Sequence, residues 1–505
     1  MAETFSFSRW PPSLPEEQIS HLTEIAATYA LSHGLTYLPV GQQPRFPAAA
    51  IHAPLALFPS PIPRDLFQLA QRLQRTYNVL YARIAMDNDF LDQVMGAVEG
   101  VGKVDEFVGQ LWSGWKQIRD EGVEETLHLG LFRSDYLLHE NADSTLGLKQ
   151  VEFNTISSSF GTLSERVASL HRYLLSATAY YETSPILAID NFPPNTTTAG
   201  LAAGLAAAHG SYNNQSAWIL FVVQAGERNV FDQRWLEYEL LEKHSIRVIR
   251  QTFDDLATSA RLDPQTSALR ISRGDGPEVE ISTVYFRAGY APTDYPTPGH
   301  YQTRFLLERS SAINCPSIPL QLAGGKKVQQ VLAQPGVLER FLGDSSKEDL
   351  DAIRGSWMGM WGLDLQDEAQ KNETVEPLGV RLARERALEL VLKPQREGGG
   401  NNVYKEAIPK FLDELPVSER KAWIAMELIV PPNGTANYLI RSGGAAVKTE
   451  VVSELGIFGW ALFGSGKVVK DAEAGWLVRT KGVDSNEGGV ATGYSVLDSI
   501  VLVDV

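Results

Sequence analysis

The sequence predicts an α+β chain carrying a small inserted α/β unit, and three observations lead there. Apolar residues recur at helical spacing through the first 120 or so positions; strand and helix signals alternate near 217–322; runs of strands follow helices from about 323 onward. At 505 residues, 44% of them hydrophobic and 21% charged, the chain can fill about three such units. The expected division is 1–216, 217–322 and 323–505.

In the first unit Ile19, Leu22, Ile25 or Ala26 and Tyr29 keep one apolar helical face, and Arg64 to Ile84 and Glu106 to Ile118 continue in kind. From Leu127, LHLGLFRSDYLLHE and LKQVEFNTIS flank the turn-rich NADSTLG, which predicts a hairpin followed by a helix to about Tyr181. The breaker-rich NFPPNTTTAG and GSYNNQS frame a short Ala-rich helix. In the second unit strand 217–224, helix 231–244, strand IRVIRQTF and strand TVYFRAGY predict a small parallel sheet. The third begins with helices at LAGGKKVQQ, crosses an acidic segment around 344–376, and ends in strands at LELVLKP, AWIAMELIV, YLIRS, TEVVSELGIFGWALF and WLVRTK.

A formal net charge of −16 argues against nucleic acid as a partner, because displacing its counterions needs a basic surface. The start MAETFSFSRWPPSLPEE lacks the basic head and apolar run of a signal peptide, and no 18 apolar residues occur together, so neither export nor a membrane span is expected. A single cysteine, Cys315, excludes an intrachain disulfide and suits a reducing compartment, the cytoplasm; within NCPSIP it reads as a packed hydrophobe. The P-loop, Rossmann, H-E-x-x-H and G-x-S-x-G signatures are all missing, which removes support for zinc hydrolysis, Rossmann redox chemistry and serine esterase chemistry.

What remains are short polar patterns. In VEFNTI, strand alternation puts Glu152 and Asn154 on one side and Val151 and Phe153 on the other. A carboxylate and an amide oxygen suit Mg²⁺, although a solvated strand edge carries the same pattern. If a strand runs through LKPQRE, Lys393, Gln395 and Glu397 also share a side, and Gly398, Gly399 and Gly400 follow directly. Such a run serves equally as a flexible turn or as a loop whose backbone N–H groups approach phosphate. Arg133, Arg287, Lys326, Arg479 and Lys481 are isolated cations, each ordinary on a surface, and a second glycine stretch, NEGGVATG, follows the last two.

Taken together, LFRSDY, EFNTISSSFG, ERNVFDQR, VYFRAGY, LERSSAINCP, QLAGGKKVQQ, LKPQREGGGNNVY, SELGIFG, VRTK and EGGVATG resemble, in order, the eukaryotic-type glutathione synthetases, which are ATP-grasp ligases. The resemblance covers about residue 15 to the carboxyl terminus. It implies a permuted ATP-grasp fold with the α/β unit as a substrate domain and a Gly-rich lid. The implied reaction joins γ-glutamylcysteine to glycine through an acyl phosphate, using ATP and Mg²⁺, in a homodimer.

Position by position, the resemblance assigns Glu152, Asn154 and Glu397 to Mg²⁺, and Glu152 also to ATP. Lys326 and Lys393 fall on the ATP phosphates, beside Gly398, Gly399, Gly400, Asn401, Asn402 and Tyr404. Met426, Glu427, Leu428, Ile429 and Glu454 take the adenine and ribose end, and Lys481 and Glu487 complete the nucleotide site. Arg133, Ser157, Ser158, Ser159, Glu227, Arg228, Asn229, Gln233, Arg287, Tyr290, Arg479, Val490 and Ala491 hold the peptide and glycine. Arg479, Lys393, Gly398 and Gly399 are the implied catalytic set. Two departures stand out: Leu428, where relatives can carry lysine, and a poorly matching block over 344–386. No histidine presents itself as a base for the amine. A family ligase using β-alanine or serine, and a nucleotide-binding regulator without turnover, are the rival readings.

Overall fold

Alternation along the long strands decides where scaffold ends and site begins. On one face of the hairpin strand His128–Glu140, Leu129 and Leu131 are buried among apolar residues, whereas Arg133, two positions further along, borders a cavity. Lys467–Gly482 repeats the switch from Leu477 to Arg479 and Lys481, and Val447–Gly464 repeats it between Phe458 and Glu454. The apolar part of that face lies under the Ala-rich helix Thr197–Ser211, where Gly200 and Gly204 let the helix approach Ala474 and Trp460 closely. Beyond the helix the same face is charged.

These strands belong to a seven-stranded sheet in the order Ala436–Ile440, Leu55–Ala56, Val496–Asp498, Lys467–Gly482, Val447–Gly464, His128–Glu140, Leu146–Asn154. All its pairings are antiparallel except Val496–Asp498 with Leu55–Ala56. The opposite face carries the helix Arg64–Ala85, whose Tyr81 stacks on Phe153 with ring centroids 4.0 Å apart, beside Tyr77 at 5.5 Å. Anchoring Phe153 in that core is what turns its neighbours Glu152 and Asn154 outward.

The computed structural model describes residues 5–41, 49–123, 127–274, 276–364, 376–396, 400–485, 488–490 and 493–505. Helices Glu16–Ser32, Arg64–Ala85 and Glu106–Asp120 occupy the expected stretches, the first burying Ile19, Leu22, Ala26 and Ala30. A second sheet runs Val248–Gln251, Trp218–Val222, Gly276–Phe286, Leu269–Arg273, Ala260–Leu262, with Ile313–Cys315 also paired to Gly276–Phe286. Its parallel part is as expected, but Leu269–Arg273 and Ala260–Leu262 add antiparallel, so the sheet is mixed. Alternating strand and helix signals carry no sign of such a pair, because short polar strands of this kind read as loop. Cys315 is buried, as expected of a packed hydrophobe.

A third sheet, Met360–Gly362, Trp423–Glu427, Leu390–Pro394, Val403–Tyr404, is antiparallel throughout. Its strand through LELVLKP stops at Pro394, so the expected run through LKPQRE is corrected: proline has no N–H to continue a ladder, and Gln395 turns away to accept from Lys327 N and donate to Ala422 O. Ser60–Pro63 pairs in parallel with Ile500–Val503, bringing the carboxyl-terminal strand back beside residues near the amino terminus. Two prolines in SPIP hide that strand from sequence reading.

Candidate functional site

A cavity of about 510 Å³ opens where the seven-stranded and four-stranded sheets meet the loop after Asn154. Arg133, Glu152, Asn154, Glu454, Arg479 and Lys481 line it from the first sheet, and Lys393, Tyr404, Met426 and Glu427 from the second. Ser157, Ser158, Ser159, Glu227, Arg287, Tyr290, Lys326, Asn401, Asn402, Leu428, Ile429 and Val490 complete the predicted residues on its wall. Glu397, Gly398, Gly399, Glu487 and Ala491 lie outside the described residues.

Cations and carboxylates interleave in this wall. Lys326 Nζ lies 2.9 Å from Glu152 Oε2, and Lys393 Nζ donates to Val151 O at 3.0 Å, so both ammoniums gather at the Glu152 end. Burial pushes the Glu152 carboxyl up, but the charges of Lys326 and Lys393 outweigh it and hold it down at about 2. Arg479 pairs with Glu454 and places Nη2 3.0 Å from Asp135 Oδ2. Burial works against the Arg479 charge, yet Glu454 and Asp135 keep its pKa above the ordinary guanidinium value. Asn154 donates Nδ2 to Arg133 O at 3.2 Å and to Asp135 Oδ2 at 3.0 Å. With the amide nitrogen engaged there, Oδ1 is the atom left to act as a hard oxygen donor.

The serine loop is held in a strained form. Ser157 and Phe160 have φ of 52° and 69°, in the left-handed region. Ser157 Oγ donates to Phe286 O at 3.1 Å, and Arg287 Nη2 donates to Ser159 Oγ at 2.7 Å, linking the loop to the end of the central strand of the second sheet. Asp232 takes the N–H groups of Phe160, Thr162 and Leu163 at 2.9, 3.0 and 3.3 Å, capping the helix Gly161–Thr178.

Arg228, Asn229 and Gln233 stand behind the wall. Asn229 N donates to Glu227 Oε1 at 2.7 Å and Gln233 Nε2 to Glu227 Oε2 at 3.3 Å, fixing the one carboxylate of that group that borders the cavity. Arg228 Nε donates to Leu38 O at 3.0 Å. Gly400, at φ 78°, is exposed and off the cavity wall. Glu427 is engaged by Gly359 N at 3.0 Å and Arg386 at 2.9 Å. Glu454 lines the same cavity and pairs with Arg479 across adjacent strands. Sequence reading passed over Arg396 and Gly489, which also line the cavity, and Asp135 and Asp232, which hold its lining residues. The i, i+2 spacing of Arg133 and Asp135 was the available signal for one of these.

Two sheets facing one cavity lined by both charge signs define an α+β scaffold suited to polyanionic small molecules. Sequence comparison is more specific. The family model "Eukaryotic glutathione synthase, ATP binding domain" matches residues 16–502, and the chain belongs to that family. It is similar to the glutathione synthetase large chain of Schizosaccharomyces pombe, 38% identical over 511 residues covering 96% of this chain and 98% of the relative. The glutathione synthetase of Homo sapiens is 39% identical over 486 residues, covering 96% and 97%. Among solved structures, a glutathione synthetase-like effector from Globodera pallida in the apo form shares the fold, with a TM-score of 0.75 at 23% identity over 97% of this chain and 98% of that one. Among the described residues no helix is long and apolar enough to cross a membrane.

Proposed function

We infer that the protein is a glutathione synthetase, an ATP-dependent ligase joining γ-glutamylcysteine to glycine with release of ADP and phosphate. The observation that carries this, beside family membership, is the convergence of Glu152, Asn154, Lys326, Lys393, Arg479 and Lys481 from separate elements on one cavity. In this reading the chain is a permuted ATP-grasp fold divided at 216 and 322, with 217–322 as substrate domain and a lid over about 365–450. A cytoplasmic location agrees with the lone cysteine, and a homodimer with the family resemblance.

Ligation must bring a substrate carboxylate against the γ-phosphate of ATP, two anions that repel. Lys326 and Lys393 offset that charge from the Glu152 end, so the carboxylate oxygen can attack phosphorus as ADP leaves. Glu152 and Asn154 offer a carboxylate and an amide oxygen fitted to Mg²⁺, with Glu397 as the expected third ligand outside the described residues. When bound, Mg²⁺ supplies further neutralisation of the phosphate charge. Arg133, Arg287 and the serine loop orient the dipeptide. The glycine amine then attacks the acyl carbon, phosphate departs and the amine loses a proton, with Arg479 beside Val490 aligning the incoming amino acid. Alignment of this kind contributes up to about 7–11 kcal/mol.

Incubating the purified protein with ATP, Mg²⁺, γ-glutamylcysteine and glycine tests the reading: phosphate release and a tripeptide mass are expected. Phosphate release without a glycine-dependent product would refute it. Competition among glycine, β-alanine and serine separates it from a family ligase with another acceptor; glycine is expected to dominate.

A further inference from the structure

Alternation turns Asp135 to the same side of its strand as Arg133, yet Asp135 stands behind the cavity wall with its side chain only 1% exposed. Its two oxygens take four donors from three strands. Oδ1 accepts Arg133 Nε at 2.6 Å; Oδ2 accepts Arg133 Nη2 at 2.8 Å, Arg479 Nη2 at 3.0 Å and Asn154 Nδ2 at 3.0 Å. The bidentate grip on Arg133 fixes the plane of its guanidinium, which a single contact would leave free to turn. The grip on Asn154 decides which way its amide faces.

Space for this hub is made on the next strand. Gly456 sits directly opposite Asp135 in register, and a Cβ there would come within 2.9 Å of both Asp135 Oδ1 and Arg133 Cδ. A carboxylate this buried is retained at a desolvation cost, and its four donors offset that cost only in this one arrangement.

We propose that Asp135 is a positioning residue of the ligation: it holds Arg133 and Arg479 where they receive the carboxylates of the dipeptide and acceptor. It does so without touching substrate. The proposal rests on the glutathione synthetase reading, so wild-type turnover, measured alongside, tests that reading separately.

The test is Asp135→Asn, which keeps the shape and removes the charge. With the variant folded by circular dichroism, the KM for γ-glutamylcysteine is expected to rise at least about tenfold, the scale of losing a charge-assisted hydrogen bond, while the KM for ATP stays within about threefold. Calorimetric binding of the dipeptide should weaken in parallel. A purely structural role predicts instead a smaller active fraction with every Michaelis constant unchanged; that result, or an equal rise in both constants, overturns the proposal. If Asp135→Asn does not fold, Gly456→Ala decides by the same criterion, since its Cβ displaces the Asp135–Arg133 pair with all charges kept. A selective rise in the dipeptide KM supports the proposal, and unchanged or equally raised constants overturn it.

Discussion

Lys393 is a buried lysine, 6% exposed, whose Nζ donates to Val151 O. Its ammonium reaches across to the Glu152 strand rather than into solvent, a tertiary fact with no local signature. Burial changes what substitution does. Lys393→Met keeps most of the stem volume and removes a buried charge near Lys326, so the melting temperature should stay within about 3 °C of wild type. Turnover should fall by about 100-fold or more, because a cation preorganised against phosphate in a water-poor site contributes several kcal/mol that an apolar tip cannot. Thermal melts and initial rates at saturating ATP check the two halves, and near-normal turnover would count against the phosphate role. With one of its two nearby ammoniums gone, the Glu152 carboxyl should also be held down less strongly.

At the scale of elements, the helix Gly161–Thr178 is capped from a different unit of the chain. Asp232, at the start of the helix Val230–His244, supplies the acceptor for three of its first N–H groups and faces Arg287 at 3.4 Å. Asp232→Ala strands those donors and leaves the Arg287 guanidinium, 3% exposed, without that carboxylate, for an expected loss of about 3–5 kcal/mol read as a lowered urea midpoint. Asp232→Asn should recover part of it, because one amide oxygen still accepts. This contact marks the limit of what sequence makes legible. The motif ERNVFDQR drew attention to Glu227, Arg228, Asn229 and Gln233, and the structure puts only Glu227 on the cavity wall. Asp232 pairs with groups some 70 residues away, a relation that no periodicity encodes. By contrast, the facing of Glu152 and Asn154 follows from a period of two, and the helix Arg64–Ala85 from a period of 3.6, because each is dictated by one apolar face against one core. The proline-bearing strand Ser60–Pro63 is illegible for the same reason as Asp232, because its partner Ile500–Val503 lies far along the chain.

For the molecule as a whole, folding buries ionisable groups whose titrations oppose one another. Asp498 lies in the join, accepting from Ser60 Oγ at 2.7 Å, Thr480 Oγ1 at 2.6 Å and Ser499 N at 2.7 Å, with Asn437 nearby at 3.5 Å and Tyr180 the titratable group that feels its charge. Burial pushes its carboxyl up to about 7 despite those hydroxyls. The folded state therefore binds a proton that the unfolded state, near pKa 3.8, releases, and the stability this gives is full below that value and lost as pH rises through 7, about 4 kcal/mol in all. His128 and His171 act with the opposite sign. Burial depresses both to about 4, His171 doing so against its bond to Ala56 O, so their contribution is present above pH 6.5 and lost as pH falls toward 4. The two effects share a pH window, and Asp498 offsets only part of the rise in stability with pH that the two histidines give the wild type. Asp498→Asn removes one of them while keeping an oxygen for Ser499 N and an amide for the hydroxyls. Its stability should climb more steeply than that of the wild type between pH 5 and pH 7.5, overtaking it toward the alkaline end by about 1–3 kcal/mol. Urea midpoints across that range measure the slopes, and parallel profiles for the two proteins would mean that Asp498 is already ionised in the native state.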